Sequence, residues 1–205
     1  MLIIVEGRDG VGKTTFAKST VTMLADAGIP VTFVREPVDR ACITAEEPVK
    51  AFAVDRLKQA AEVIMPALAR GEVVVSDRSL FSSLAYQNVD NIEEVETEIL
   101  KENAEMAQFI RRMAASDALK IVLLDPPETL RPANENVDAN DANTELQQKL
   151  RLRFIQVLAH SPPEIRRCVE YVGSSAIYLD RQMRLRFWIT TKRHLSTLVQ
   201  PSAHG

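Results

Sequence analysis

The sequence has few cysteines, no long apolar run and no recognisable targeting segment. Its two cysteines, Cys42 and Cys168, are too few and too isolated for a disulfide framework or a zinc site, so we expect reduced, structural thiols. The longest apolar runs are much shorter than a membrane-spanning helix. The N-terminal stretch MLIIVEG lacks the charged start and the cleavage site of a signal peptide. These features predict a cytoplasmic protein with no membrane partner.

An excess of basic residues is also missing. The formal net charge is −3, whereas a protein that neutralises many nucleic-acid phosphates carries a basic surface. We therefore expect no nucleic-acid partner, and an anionic ligand has to be bound by local arginines and backbone groups. With 46% apolar and 26% charged residues in a chain of 205, the composition is that of one globular domain over residues 1–205.

Short apolar runs alternate with helical patterns along the chain. Five buried strands are predicted at residues 2–5, 31–34, 72–76, 121–124 and 176–179. Helices are predicted from Lys13 to a stop at Gly28 and Pro30, at residues 49–70, at residues 91–115, and after the last strand. The alternation predicts an α/β fold, namely a five-stranded parallel sheet with helices on both faces.

Residues 131–144 depart from this regularity. Their sequence, RPANENVDANDANT, is dominated by Asn, Asp and Ala, a composition that favours turns or a loop over a packed element. We predict a mobile lid over about residues 129–145. A solvated connection without a catalytic role is the alternative.

A glycine-rich motif lies between the first predicted strand and the first predicted helix. Residues 7–14, GRDGVGKT, match GxxxxGK[ST] in the strand-loop-helix context that makes this motif specific. The predicted ATP-binding residues are Gly7, Arg8, Asp9, Gly10, Val11, Gly12, Lys13, Thr14 and Thr15. Backbone N–H groups and the helix N-terminus favour phosphate there. Lys13 is expected to reach the β- and γ-phosphates, and the Thr14 hydroxyl to bind Mg²⁺.

Four sequence blocks together resemble the thymidylate kinase family. EGRDGVGKTT at residues 6–15 is followed by REP at 35–37, by FAVDR at 52–56, and by SDR and SSLAYQ within residues 76–87. All four occur in the family's order, and a weaker similarity continues at residues 123–128. The resemblance implies a P-loop nucleoside monophosphate kinase fold, transfer of the γ-phosphoryl group of ATP to dTMP with Mg²⁺ as cofactor, and a homodimer.

The resemblance also implies which residues bind the acceptor nucleotide. Arg35, Arg56 and Arg78 match arginines that bind the acceptor phosphate, a task that suits planar guanidinium groups. Phe52 matches the aromatic residue that stacks on thymine. The base edge is expected to face Ser83 and Gln87, and Tyr86 either lines the sugar or packs.

Two carboxylates complete the expected site. The family uses the residue at Asp9 near the acceptor and the metal. Asp77 closes a buried strand beside the P-loop strand and is expected to orient Mg²⁺ as a Walker-B carboxylate does. A purely structural role for Asp77 is the alternative.

The sequence departs from the family pattern at two places. Bacterial-type relatives with glycine at the position of Gly10 carry lid arginines that lead to an Asp-Arg pair, whereas here residues 138–139 are Asp-Ala. The candidates for the missing positive charge are Arg8, Arg131, Arg151 and Arg153. With Arg8 included, the predicted catalytic residues are Lys13, Asp9, Arg78 and Arg8. The second departure is Ser79, where the family commonly has an aromatic residue.

These departures leave two alternatives to a dTMP kinase. One is a kinase for a modified pyrimidine nucleotide such as 5-hydroxymethyl-dUMP, or for a hydroxymethylated base in DNA. The other is a nucleotide-binding regulator that has lost turnover together with its lid arginines.

Overall fold

The protein is described by a computed structural model that covers residues 1–41, 46–87, 92–125, 144–173 and 177–199. Cys42 and Arg131 lie outside these ranges. The predicted lid also lies outside them, except for its last two positions, which begin a helix at Thr144. No helix in the described part of the chain is both long enough and apolar enough to cross a bilayer.

Five parallel strands form one sheet. They are β1 (Leu2–Glu6), β2 (Val31–Arg35), β3 (Val73–Asp77), β4 (Leu119–Leu124) and β5 (Val169–Val172), and their order in the sheet is β2-β3-β1-β4-β5. The register pairs Leu2 with Val74 on one side of β1 and with Leu119 on the other. The predicted fold class is therefore confirmed.

Helices connect the strands and cover both faces of the sheet. They are α1 (Lys13–Asp26), α2 (Pro48–Gln59), α3 (Met65–Ala69), α4 (Leu80–Tyr86), α5 (Ile92–Glu102), α6 (Ala104–Ala115), α7 (Thr144–His160), α8 (Pro163–Arg166) and α9 (Tyr178–Val199). A π-helical turn, Ala60–Ile64, joins α2 to α3. The segment predicted as one helix at residues 49–70 thus runs without a loop.

Alternate residues of β1 enter two separate cores. Leu2 and Ile4 belong to a core built with α4, α5, α6 and α7, whereas Ile3 and Val5 pack with α1 and α9. All four are at most 3% exposed. Burial on both faces explains the continuous apolar runs of the three central strands, β1, β3 and β4.

The fifth strand was predicted at the wrong place. It lies at Val169–Val172, where it pairs with β4 from Ile121 to Leu124, and Tyr178 already belongs to α9. Ile177 and Leu179, counted as strand residues in the prediction, are 38% and 69% exposed. A short apolar run does not by itself distinguish a buried strand from the first turn of a helix.

The single helix predicted at residues 91–115 is two helices. α5 ends at Glu102 and α6 begins at Ala104, with Asn103 between them. The side-chain Nδ2 of Asn103 donates to the carbonyl oxygen of Ile99 at 2.8 Å. An asparagine side chain that bonds the local backbone competes with helix continuation, so the break needs neither glycine nor proline.

Polar residues cluster where the strands end. Glu6 closes β1, Arg35 closes β2, Asp77 closes β3, and Asp125 follows β4. The carboxyl ends of parallel strands lie at one edge of a sheet, and ligands of open α/β sheets bind outside that edge. The candidate site is therefore at this edge.

Candidate active site

The loop between β1 and α1 follows a path that requires glycine. Gly7 has φ +140°, and a Cβ atom there would lie 2.3 Å from the carbonyl oxygen of Leu124. Gly12 has φ +89° and forms the N-cap of α1 in the left-handed region. Gly10, at φ +77°, is exposed. Residues with side chains disfavour these conformations, so the loop is shaped to bring its backbone N–H groups to phosphate.

The side chain of Lys13 lies inside this loop. Its residue is 5% exposed, and Nζ donates to the carbonyl oxygen of Arg8 at 2.5 Å. Burial and the nearby charge of Arg78 lower the pKa of Lys13 to about 8. The ammonium group is still mostly protonated at pH 7 but poorly solvated, so an anionic phosphate would stabilise its charge.

Thr14 and Asp77 present adjacent oxygen atoms. Thr14 Oγ1 donates to Asp77 Oδ2 at 2.5 Å, and Arg35 Nε lies 3.6 Å from the same carboxylate oxygen. The second oxygen, Asp77 Oδ1, is buried and has no hydrogen-bond partner among the described residues. A hydroxyl oxygen beside a carboxylate with a spare oxygen fits a hard divalent cation such as Mg²⁺. Thr15 follows on α1 and is exposed.

Arg78 and Lys13 share one carboxylate, that of Asp9. Arg78 Nη2 donates to Asp9 Oδ1, and Lys13 Nζ lies 3.6 Å from the same atom. Burial alone would raise the pKa of Asp9, but the charges of Arg78 and Lys13 outweigh it and hold that pKa below its ordinary value. Two cations thus flank one carboxylate beside the loop.

Arg78 is held in a strained backbone conformation over an aromatic ring. Its φ is +79°, which is unusual for a residue with a long side chain. The guanidinium carbon lies 5.1 Å from the ring centroid of Tyr86, and the Tyr86 ring meets Phe154 of α7 edge to face at 5.8 Å. Strain of this kind persists where surrounding contacts overdetermine it, as at functional sites.

Arg56 lies in a separate buried network. It is 1% exposed. Its Nε donates to both oxygens of Glu36 at 3.1 and 2.9 Å, and its Nη2 to Ser83 Oγ at 2.9 Å. Nη1 donates to Asn103 Oδ1. Glu36 thus already neutralises this guanidinium, and binding of the acceptor phosphate by Arg56 stays a prediction.

Three further residues were predicted to bind the acceptor, namely Phe52, Gln87 and Arg35. Phe52 lies one turn before Arg56 on α2 and is partly buried. Gln87 follows α4, and both its amide nitrogen and its amide oxygen are buried without a hydrogen-bond partner among the described residues. Buried amides are normally bonded, so Gln87 is suited to a ligand. Arg35, at the end of β2, is 58% exposed at its side chain and faces Asp77.

The side chain of Arg8 reaches the end of β4. Its Nη2 lies 3.7 Å from Asp125 Oδ1, and Arg151 Nε donates to the two oxygens of the same carboxylate at 3.0 and 2.8 Å. Arg153 instead pairs with Glu96 of α5 at 2.7 Å. The structure thus places two candidates for the missing lid charge at Asp125 and a third at α5. A catalytic role for Arg8 stays a prediction.

Ser79 contacts a buried carboxyl group. Its Oγ donates to Glu6 Oε1 at 2.6 Å, and Ser82 Oγ donates to Glu6 Oε2 at 2.6 Å. Ser79 Oγ also accepts from Phe81 N at 3.3 Å and so caps α4. Glu6 is fully buried, and burial raises the pKa of its carboxyl to about 7. The serine at position 79 therefore hydrogen-bonds the Glu6 carboxyl and caps the start of α4.

Sequence reasoning missed four residues of the site. They are Glu6, Glu36, Asn103 and Asp125. Three of them follow or close a strand, so the rule that ligands bind at the carboxyl edge of the sheet could have found them. Asn103 gives no such signal, because it is one polar residue inside a segment that otherwise favours helix.

The comparisons with known proteins agree on one family. A family model described as thymidylate kinase matches residues 5–165. A probable thymidylate kinase from Pyrococcus abyssi is 32% identical over 177 aligned positions, covering 76% of this chain and 81% of the relative. One from Thermococcus gammatolerans is 31% identical over 191 positions, covering 81% and 86%.

A solved structure resembles the fold. The crystal structure of thymidylate kinase from Ehrlichia chaffeensis superposes with a TM-score of 0.63 and covers 91% of this chain and 98% of that one. At 17% sequence identity, this similarity supports the architecture of the sheet and its helices.

Proposed function

This chain belongs to the thymidylate kinase family, and we propose that it transfers the γ-phosphoryl group of ATP to dTMP, giving ADP and dTDP. The observation that carries the proposal is the sharing of Asp9 by Lys13 of the donor loop and by Arg78. With Lys13 proposed to bind the donor phosphate and Arg78 the acceptor phosphate, their shared contact with Asp9 supports two adjacent phosphate sites.

The reaction needs little covalent help from the protein. An oxygen of the dTMP phosphate attacks the γ-phosphorus, and the bond from that phosphorus to the β–γ bridging oxygen breaks as ADP leaves. The attacking oxygen is already anionic, so alignment and charge neutralisation supply most of the acceleration. Lys13 and the loop N–H groups hold the donor, and Arg78 holds the acceptor phosphate.

We further propose that Thr14 and Asp77 hold Mg²⁺. Their oxygens are adjacent, and Asp77 Oδ1 has a free coordination position among the described residues. When bound, Mg²⁺ supplies charge neutralisation between the β- and γ-phosphates. The hydroxyl of Thr14 and the carboxylate of Asp77 orient it.

The acceptor base is proposed to lie between α2 and α4. Phe52 offers an aromatic face to a pyrimidine, and the Gln87 amide offers both a donor and an acceptor to the base edge. Ser83 is already fixed by Arg56, and Tyr86 lies under Arg78. Arg35 is proposed as a second contact for the acceptor phosphate.

Three broader proposals accompany this function. We propose that the chain acts as one domain with a lid at about residues 129–145, that it works in the cytoplasm, and that it forms a homodimer. The family match favours dTMP over the two alternatives raised by the departures at Ser79 and the lid.

Transfer of a labelled phosphoryl group tests the function. ATP labelled at the γ-phosphate is incubated with dTMP, Mg²⁺ and the protein, and the label is expected in dTDP. Lys13→Met is expected to lower kcat by about a thousandfold because it removes a positive charge at the transferred group. Binding of both nucleotides without labelled dTDP would instead indicate a regulator without turnover.

A further inference from the structure

The helix break at Asn103 directs a buried amide toward Arg56. Asn103 is 1% exposed, and a buried amide is unfavourable unless it is hydrogen-bonded. Its Nδ2 donates to Ile99 O at 2.8 Å. This contact fixes which way the amide faces, and it leaves Oδ1 to accept from Arg56 Nη1.

The Arg56 guanidinium is held from three directions. Glu36, in the loop after β2, accepts from Nε with both carboxylate oxygens, and its Oε2 lies 2.8 Å from Nη2 as an ion pair. Ser83 of α4 accepts from Nη2 at 2.9 Å, and Asn103 accepts from Nη1. A guanidinium presents its five donors in a rigid planar fork, so three partners from three segments fix both its position and the tilt of its plane.

Because Glu36 neutralises Arg56, the direction of its donors matters more than its net charge. Without Asn103, the described partners of the guanidinium all lie along its Nε–Nη2 side, and the plane can tilt about that side. Such a tilt moves the donors relative to Phe52, which lies one turn away on α2. Binding depends on the exact position of the groups that contact a ligand, so we expect this tilt to weaken binding of the nucleoside monophosphate.

We propose that Asn103 is a positioning residue for the acceptor nucleotide: acting through Arg56, it sets the affinity for the nucleoside monophosphate and not the affinity for ATP. The inference rests on the proposed function, since it takes Phe52 and Arg56 as acceptor-side residues. A role limited to the helix break, through the hydrogen bond to Ile99 O of α5, predicts lower stability with no selective change in acceptor binding.

Two substitutions of Asn103 separate these roles. Serine is a favourable N-cap residue, so Asn103→Ser preserves the start of α6 while withdrawing the oxygen from Arg56. Aspartate retains an oxygen for Arg56 but loses the donor to Ile99 O, so it tests whether the contact with Arg56 suffices for acceptor binding. We expect Asn103→Ser to raise KM for dTMP by about tenfold, with KM for ATP within about twofold of wild type. Asn103→Asp is expected to bring KM for dTMP back to within about threefold.

A matched control removes a buried amide elsewhere. Gln182 of α9 is 6% exposed, and its Nε2 donates to Phe16 O at 3.1 Å. Gln182→Ala is expected to lower the melting temperature without a change in KM for dTMP. An unchanged KM for dTMP in Asn103→Ser, or an equal rise of both KM values, would overturn the inference.

Coupling to Arg56 is tested in a second background. In Arg56→Lys, the further effect of Asn103→Ser on KM for dTMP is expected to shrink to less than about twofold, because the two residues act as one unit. A full additional tenfold effect would show that Asn103 acts by another route.

A spectroscopic readout is independent of turnover. The side-chain N–H signals of Arg56, assigned with Arg56→Lys, are expected to shift in substrate-free Asn103→Ser and to stay near wild type in the Gln182→Ala control. If the wild type fails to phosphorylate dTMP, the proposed function is refuted, but the positioning of Arg56 by Asn103 is not. Unchanged Arg56 signals in Asn103→Ser would refute the positioning role of Asn103 and leave the proposed function intact.

Discussion

Replacing Glu6 by glutamine should change how stability depends on pH. Burial raises the pKa of the Glu6 carboxyl from 4.5 to about 7, although the hydroxyls of Ser79 and Ser82 and the charge of Arg78 act in the opposite direction. Glutamine keeps an oxygen for one serine and offers an N–H to the other. The substitution therefore removes the ionisation while retaining the local contacts.

The sign of the effect follows from proton linkage. Below pH 4.5 the carboxyl is protonated in both the folded and the unfolded state, so its burial does not make the free energy of unfolding depend on pH. Between pH 4.5 and 7 the unfolded chain releases its proton while the folded protein retains it, so stability falls as pH rises. Each pH unit is worth up to about 1.4 kcal/mol, which gives a loss of about 3 kcal/mol over the interval. Above pH 7 the loss stays constant.

Urea unfolding of both proteins at pH 5, 6, 7 and 8 measures this loss. The free energy of unfolding of Glu6→Gln, relative to wild type, should rise by about 2–3 kcal/mol from pH 5 to 8. Glu164→Gln is a control whose difference from wild type should stay nearly flat from pH 5 to 8, because a backbone hydrogen bond and Arg111 lower the pKa of Glu164 and the group is ionised in both states over this range. A flat difference between Glu6→Gln and wild type would refute the reasoning about burial.

Three further substitutions test single contacts. Arg78→Lys should raise KM for dTMP by at least about tenfold, with KM for ATP within about twofold, because lysine lacks the bidentate fork; initial rates with equal rises in both KM values would contradict this. Thr14→Val should raise the Mg²⁺ concentration for half-maximal rate by about tenfold, and an unchanged Mg²⁺ titration would exclude Thr14 as a ligand. Gly7→Ala should lower the free energy of unfolding by about 3 kcal/mol or more. The new Cβ would lie 2.3 Å from Leu124 O, on a backbone conformation that alanine disfavours. An unchanged urea midpoint would contradict this prediction.

The conformation of the glycine-rich loop was predictable from the sequence because the loop is local. The loop from Gly7 to Thr14 is one uninterrupted segment, and its chemistry depends on backbone conformations that glycine signals directly. Strands β1, β3 and β4 were predictable for a similar reason, since burial on both faces requires continuous apolar runs.

The acceptor side was less predictable because it is assembled from distant segments. Arg56 meets Glu36, Ser83 and Asn103 across separations of 20, 27 and 47 residues. Sequence spacing does not show that Glu36 neutralises Arg56, nor that Asn103 ends a helix where composition favours one. Likewise the serine at Ser79 looked like a change in the acceptor pocket, whereas its hydroxyl bonds Glu6 at the end of β1.

The most direct test of the central claim is a comparison of acceptors. Release of ADP is measured with Mg²⁺, ATP and each of dTMP, dUMP, 5-hydroxymethyl-dUMP, dCMP, dGMP and dAMP, and kcat/KM is determined for each. We expect the highest kcat/KM for dTMP. A higher value for 5-hydroxymethyl-dUMP, or no ADP release with dTMP, would contradict it.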